Sequence, residues 1–98
     1  MPRGPEGRFS DSLQKQLRQR GAWVYKPPAG PHGRRGVPDL LICYHGRFLA
    51  LELKMPGNTA TPLQQRELAS VVHAGGMAVV VQPGFDLDQL LADLMERP

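Results

Sequence analysis

The sequence predicts an α/β domain with the element order α-β-β-β-α-β-α, a mixed sheet covered by helices. Three observations carry this. Apolar residues recur with helical spacing near both ends of the chain and once between them. Three short stretches rich in β-branched, aromatic and aliphatic residues lie between the first two helical patterns. A helical pattern then separates the third strand from a fourth, as a crossover connection requires.

Taken in order, residues 1–8 hold two Pro and two Gly and predict a flexible start. Phe9, Leu13 and Leu17 repeat at i, i+4 and i+8, which predicts a helix over roughly 9–20, closed by Gly21. The stretch AWVYK is a short strand, with Trp23 and Tyr25 expected in the core and Tyr25 also open to a nucleic-acid contact. Residues 27–36, PPAGPHGRRG, allow no regular element and form a loop carrying His32, Arg34 and Arg35. PDLLICY is the second strand, with Pro38 at its start and Cys43 as core packing. His45-Gly46 turns the chain into RFLALELK, where the unbroken apolar run from Phe48 to Leu51 predicts cover on both faces. Thr61, Pro62 and Gln64 form the start of a helix as N-cap, N1 and capping-box N3, with Leu68, Val71 and Val72 as its apolar stripe and Gly75-Gly76 at its end. MAVVVQ is a buried strand, and Asp86 caps a last helix marked by Leu87, Leu90, Leu91 and Leu94.

Ninety-eight residues suit one domain over 1–98. No apolar run is long enough to span a bilayer, and the N-terminus has no apolar stretch behind its charges to act as a secretory signal. A single cysteine excludes an internal disulfide and fits a reducing cytosol. The net charge is +3, and nine of the twelve Lys and Arg precede residue 48, against Glu6, Asp11 and Asp39. That asymmetry suggests one basic face for a polyanion.

The second and third strands also carry charge where a small core has little room for it. Side chains two apart on a strand share a face, so Glu52 and Lys54 point the same way, and a tight turn at 45–46 brings Asp39 opposite residues near 52. Two carboxylates and an ammonium therefore meet at one end of the sheet. Close carboxylates repel and raise each other's pKa. A divalent cation relieves this, and Mg²⁺ favours one or two carboxylates with water and phosphate oxygens. Such an ion polarises a phosphodiester and lowers the pKa of a bound water, while a neighbouring Lys orients or deprotonates that water. His45 and His73 show no metal-ligand spacing, and His73 suits the end of its helix.

GVPDLLICYHGRFLALELKMPG followed by TPLQQ resembles the VRR-NUC family, a branch of the PD-(D/E)XK nuclease superfamily. The matching positions are Gly36 to Asp39, Glu52 to Lys54, Gly57, and Thr61 to Gln64, and the likeness extends over about residues 6–94. It implies a restriction-endonuclease-like core of order α-β-β-β-α-β with an added C-terminal helix. It implies Asp39 and Glu52 as ligands of Mg²⁺ or Mn²⁺ together with the backbone carbonyl of Leu53, Lys54 as the water-activating lysine, and Gln64 beside the site. The family places a Glu on its first helix, for which Glu6 is the match and Asp11 the fallback. Lys26, Arg34, Arg35 and His32 are then expected at the DNA. The resemblance further implies a stand-alone, cytoplasmic nuclease of bacterial or phage origin that cuts branched DNA as a homodimer, with four-way junctions favoured over flaps or plain duplex. A catalytically silent DNA-binding module on the same fold is the alternative, and intact Asp39, Glu52 and Lys54 argue against it.

Overall fold

The structure is a computed structural model and describes residues 3–28 and 33–98. The elements are α1 (Pro5–Gln19), β1 (Trp23–Tyr25), β2 (Leu40–Tyr44), β3 (Arg47–Leu53), α2 (Pro62–His73), β4 (Met77–Val81) and α3 (Leu87–Glu96), in the order expected. The strands lie side by side as β1-β2-β3-β4, antiparallel for the first two pairs and parallel between β3 and β4. The parallel pair is the one that α2 connects, since strands running the same way need a crossover.

Local chemistry accounts for the boundaries. Thr61 and Gln64 exchange both bonds of a capping box, Gln64 N–H to Thr61 Oγ1 at 3.2 Å and Thr61 N–H to Gln64 Oε1 at 2.9 Å. Asp86 caps α3 by accepting from the Gln89 N–H at 3.0 Å. His45 and Gly46 both have positive φ, as a two-residue type I′ hairpin turn requires. Gly36 has φ +77°, and a Cβ there would lie 2.7 Å from Leu63, so glycine is what lets the loop pass against the start of α2.

The core lies on the sheet face covered by α1 and α3. Leu13 and Leu17 of α1 and Leu87, Leu91 and Leu94 of α3 meet Val24, Leu40, Ile42, Leu49 and Leu51, all buried. Each such leucine is worth roughly 1.5–3 kcal/mol of burial. Arg20 at the end of α1 forks onto Asp88 of α3, at 2.7 and 3.3 Å, and these hydrogen bonds hold the Asp88 carboxyl below its ordinary range. No helix among the described residues is long and apolar enough to cross a membrane.

Six expectations need correction. The strand Met77–Val81, read as buried, has only Val81 buried, and Val80 is 43% exposed. The first helix begins at Pro5, so residues 5–8, read as a flexible lead, are helical: Pro suits N1, and Glu6 in the first turn meets the positive end of the helix dipole. Trp23 and Tyr25 are not core residues, being 60% and 45% exposed. Cys43 is exposed, and Phe48 is 42% exposed although Leu49, Ala50 and Leu51 are buried. Val72 is exposed as well, leaving Leu68 as the buried residue of α2. For Trp23, Tyr25 and Cys43 the cause is shared. Of the described helices, α2 is the one on the face opposite the core, and it packs on β3 and β4.

Candidate active site

At the end of the sheet where β2 begins and β3 finishes, the starts of α1 and α2 converge on a cleft of about 370 Å³. Asp39, Glu52, Leu53 and Lys54 line it from the strands, Gln64 from α2 and Glu6 from α1. The hairpin register pairs Leu40 with Leu51, which sets Asp39 across from the Glu52–Leu53 segment. The Leu53 N–H donates to Asp39 Oδ2 at 2.8 Å, tying the two strand ends together at the carboxylate itself.

Glu52 is the least ordinary residue of the cleft. It is 2% exposed, a rare state for a carboxylate in a chain of this size. Its Oε2 lies 3.4 Å from Lys54 Nζ, while Oε1 is buried without a hydrogen-bond partner. Burial pushes the Glu52 carboxyl up to about 7, and the negative charge of Asp39 adds to the rise, with the Lys54 ammonium pulling the other way. An unsatisfied buried acceptor costs about 1–3 kcal/mol, so an oxygen in this position calls for a water, a proton or a cation. The oxygens of Asp39 and Glu52 and the adjacent Leu53 carbonyl are hard donors, the kind that suit Mg²⁺ or Mn²⁺. Among the described residues, no three His, Cys, Asp or Glu side chains gather closely enough to hold an ion by themselves.

The remaining sequence-derived candidates divide. Gln64 lines the cleft while its Oε1 caps α2, so one side chain occupies both places. Glu6 faces the cleft from the first turn of α1, whereas Asp11 is exposed and ion-paired with Arg3 at 2.9 Å, away from the cleft lining. Lys26 lines the cleft. Arg34 donates to Glu67 of α2 at 2.8 Å, and Arg35 is exposed with no ion pair among the described residues. His32 lies outside the described residues.

Arg3, Gly7 and Ser10 also line the cleft, and sequence reasoning missed them. Ser10 is 6% exposed and accepts from Gln14 Nε2 at 3.1 Å. A Cβ on Gly7 would lie 2.6 Å from Arg3 Nε, so the missing side chain makes room for the arginine. The available signal was spacing: Glu6 and Ser10 stand at i and i+4, one helix face whose small residues suit close approach to a sheet end.

A hairpin with paired carboxylates and a lysine at its open end, followed by a crossover helix and a parallel strand, defines the restriction-endonuclease-like fold of PD-(D/E)XK proteins. Comparison with solved structures agrees. A structure described as a VRR-NUC domain superposes with a TM-score of 0.72 at 28% identity, over 89% of this chain and 94% of that one. A second VRR-NUC domain protein gives a TM-score of 0.68 at 19% identity, over 99% of this chain and 93% of the other. The fold is shared with Hjc of Archaeoglobus fulgidus, a Holliday junction resolvase, at a TM-score of 0.62 and 20% identity, over 81% of this chain and 70% of that one. No protein-family model matches the sequence. In sequence, the chain is 40% identical over 86 residues to "Putative nuclease p44" of Acyrthosiphon pisum secondary endosymbiont phage 1, covering 83% of this chain and 89% of that protein. The protein belongs to the VRR-NUC family.

Proposed function

We propose that this protein is a metal-dependent DNA endonuclease, a single nuclease domain over residues 1–98 that cuts branched DNA, four-way junctions first, as a homodimer in the cytoplasm of a bacterial or phage-infected cell. The observation that carries the reading is the cleft itself: Asp39 and Glu52 side by side at two strand ends, Lys54 at 3.4 Å from Glu52, and a buried Glu52 oxygen without a partner. The nuclease relative and the fold shared with a junction resolvase support it.

Asp39, Glu52 and the Leu53 carbonyl would hold Mg²⁺ or Mn²⁺. When bound, the ion neutralises charge on the phosphodiester and makes its phosphorus easier to attack. The protein's own groups do the rest. The Leu53 N–H fixes the Asp39 carboxylate, so that its second oxygen is presented without a search of rotamers. Lys54 is held by Glu52 in a largely buried position, where its ammonium can orient the attacking water and steady negative charge on the phosphoryl oxygens. Gln64, fixed through its carbonyl oxygen, keeps its amide N–H groups for the water or a phosphate oxygen. Lys26 and Arg35 supply charge for the DNA backbone.

The test is cleavage of labelled four-way junction, 5′ flap and plain duplex DNA, each with Mg²⁺, Mn²⁺ or EDTA, beside Lys54→Ala. Paired symmetric cuts in the junction that need metal and Lys54 are the expected result. Metal-dependent cuts in the flap or duplex would retain the nuclease and remove the junction preference. DNA binding with no cleavage in any condition would overturn the nuclease and leave a silent binding module.

A further inference from the structure

The sheet face that carries the carboxylates extends beyond them to two exposed aromatic residues of β1. Trp23 and Tyr25 pair in register with Cys43 and Leu41, and Leu41 pairs with Ala50. By strand alternation these side chains share the face of Ala50 and Glu52. On this face α2 packs on β3 and β4, and Trp23 and Tyr25 of the edge strand β1 are 60% and 45% exposed. The two rings stack on each other there, with centroids 6.2 Å apart and planes within 20°. Two exposed aromatics on the shortest strand are an expense that packing does not explain.

Their position does. Tyr25 stands opposite Leu41, two residues from Asp39, a separation of about 7 Å along the strand. The next residue after Tyr25 is Lys26, which lines the carboxylate cleft. The aromatic pair therefore stands within reach of a base attached next to a phosphate held at Asp39 and Glu52.

The charges around the pair select among occupants. Arg18 is exposed, and its guanidinium donates to the Val24 carbonyl within β1 at 3.3 Å. Lys26 follows the strand and is exposed as well. Neither has an ion pair among the described residues, and β1 and β2 contain no acidic residue. A second copy of this surface would set these cations against themselves with no acid to meet them. A polyanion that carries aromatic rings meets both the charge and the stacking surface.

We propose that Trp23 and Tyr25 form a stacking platform for unpaired bases beside the cleavage site. The substrate class is then DNA with an opened or single-stranded segment next to the scissile phosphate. This rests on the nuclease reading above and narrows it.

Trp23 is the protein's one tryptophan, so its fluorescence reports the platform directly. The protein is titrated in EDTA with three probes: a single-stranded oligodeoxynucleotide, an oligonucleotide of equal length with abasic sites throughout, and a blunt duplex. Quenching by the single strand, with little or none from the abasic strand or duplex, is the expected result. Tyr25→Ala with Trp23→Phe should weaken single-strand binding tenfold or more relative to Trp23→Phe alone, and leave duplex binding unchanged, since base–aromatic stacking is worth about 1–3 kcal/mol per base. Equal quenching by the abasic strand, or unchanged single-strand affinity in the Tyr25 variant, overturns the platform. So does fluorescence that follows protein concentration but not DNA, together with a halved sedimentation mass for Trp23→Ala, which would make this face a contact between copies. All readouts are metal-free. Failure of cleavage with Mg²⁺ while the quenching pattern holds would count against the nuclease reading alone.

Discussion

The backbone N–H of Leu53 donates to Asp39 Oδ2 at 2.8 Å, and so the carboxylate that opens one strand is fastened to the end of its neighbour. This bond makes Asp39 both a hairpin clasp and a candidate ligand, and substitutions separate the roles. Asp39→Asn keeps an oxygen acceptor for Leu53 and should fold with stability within about 1 kcal/mol of the parent. It should also lose cleavage by at least a hundredfold while retaining DNA binding. Cleavage at the parent rate with Mg²⁺ would remove Asp39 from the site.

Glu52 makes stability depend on pH in a direction opposite to that of an ordinary ion-paired carboxylate. Its folded carboxyl stands at about 7 against an ordinary 4.5, because burial and Asp39 disfavour its charge. The folded state thus holds the proton more tightly than the unfolded chain. The group's contribution is complete below pH 4.5 and is lost as pH rises through 7, a change on the order of 3 kcal/mol. In EDTA the melting temperature should fall over that range, and Glu52→Gln should flatten the fall. Added Mg²⁺ should recover the loss at pH 8 in the parent but not in Glu52→Gln, because a cation that binds only the folded site stabilises it. Parallel pH profiles for the two proteins would refute the assignment.

Lys54 opposes the rise at Glu52, so its removal acts on stability and on chemistry through separate readouts. Lys54→Met should leave Glu52 harder to ionise and steepen the metal-free loss of stability with pH. Cleavage should drop by about 10²–10⁴, the range for a lost proton-handling group, while DNA is still bound. Calorimetry with Mg²⁺ in place of an activity assay would tell a lost ion from a lost lysine.

The two neighbouring arginines of the loop should behave differently. Arg34 is exposed but engages Glu67, whose side chain is 17% exposed, so Arg34→Ala should cost on the order of 1 kcal/mol of stability. Arg35 has no such partner among the described residues. Arg35→Ala should weaken DNA binding across sequences and lower the salt slope by about 1. Affinity measured from low to moderate salt would decide, and an unchanged slope would take Arg35 out of the interface.

Short-range rules made much of this readable in advance. The helix stripe of Leu13 and Leu17, the Thr61–Gln64 capping box, the His45-Gly46 turn and the two-residue spacing of Glu52 and Lys54 each depend on neighbours in sequence, and all four stand as expected. The start of α1 was harder, because Gly4, Pro5 and Gly7 read as helix breakers until Pro5 is seen at N1 and Arg3 is seen lying across Gly7.

By itself, then, the sequence determined the order of the elements, the hairpin and the residue types at its open end, since periodicity, caps and turns act over a few residues. Only the tertiary structure decided which groups are dry and which are bare. Glu52 is buried at the sheet end where the starts of α1 and α2 converge, and Trp23, Tyr25 and Cys43 are exposed where α2 packs on β3 and β4 rather than on β1 and β2. Glu6 rather than Asp11 reaches the cleft because Glu6 stands in the first turn of α1, at the cleft end, and Asp11 lies more than a turn further along. Burial depends on what packs from a distance along the chain, and no local pattern of apolar residues reports which face a helix leaves uncovered.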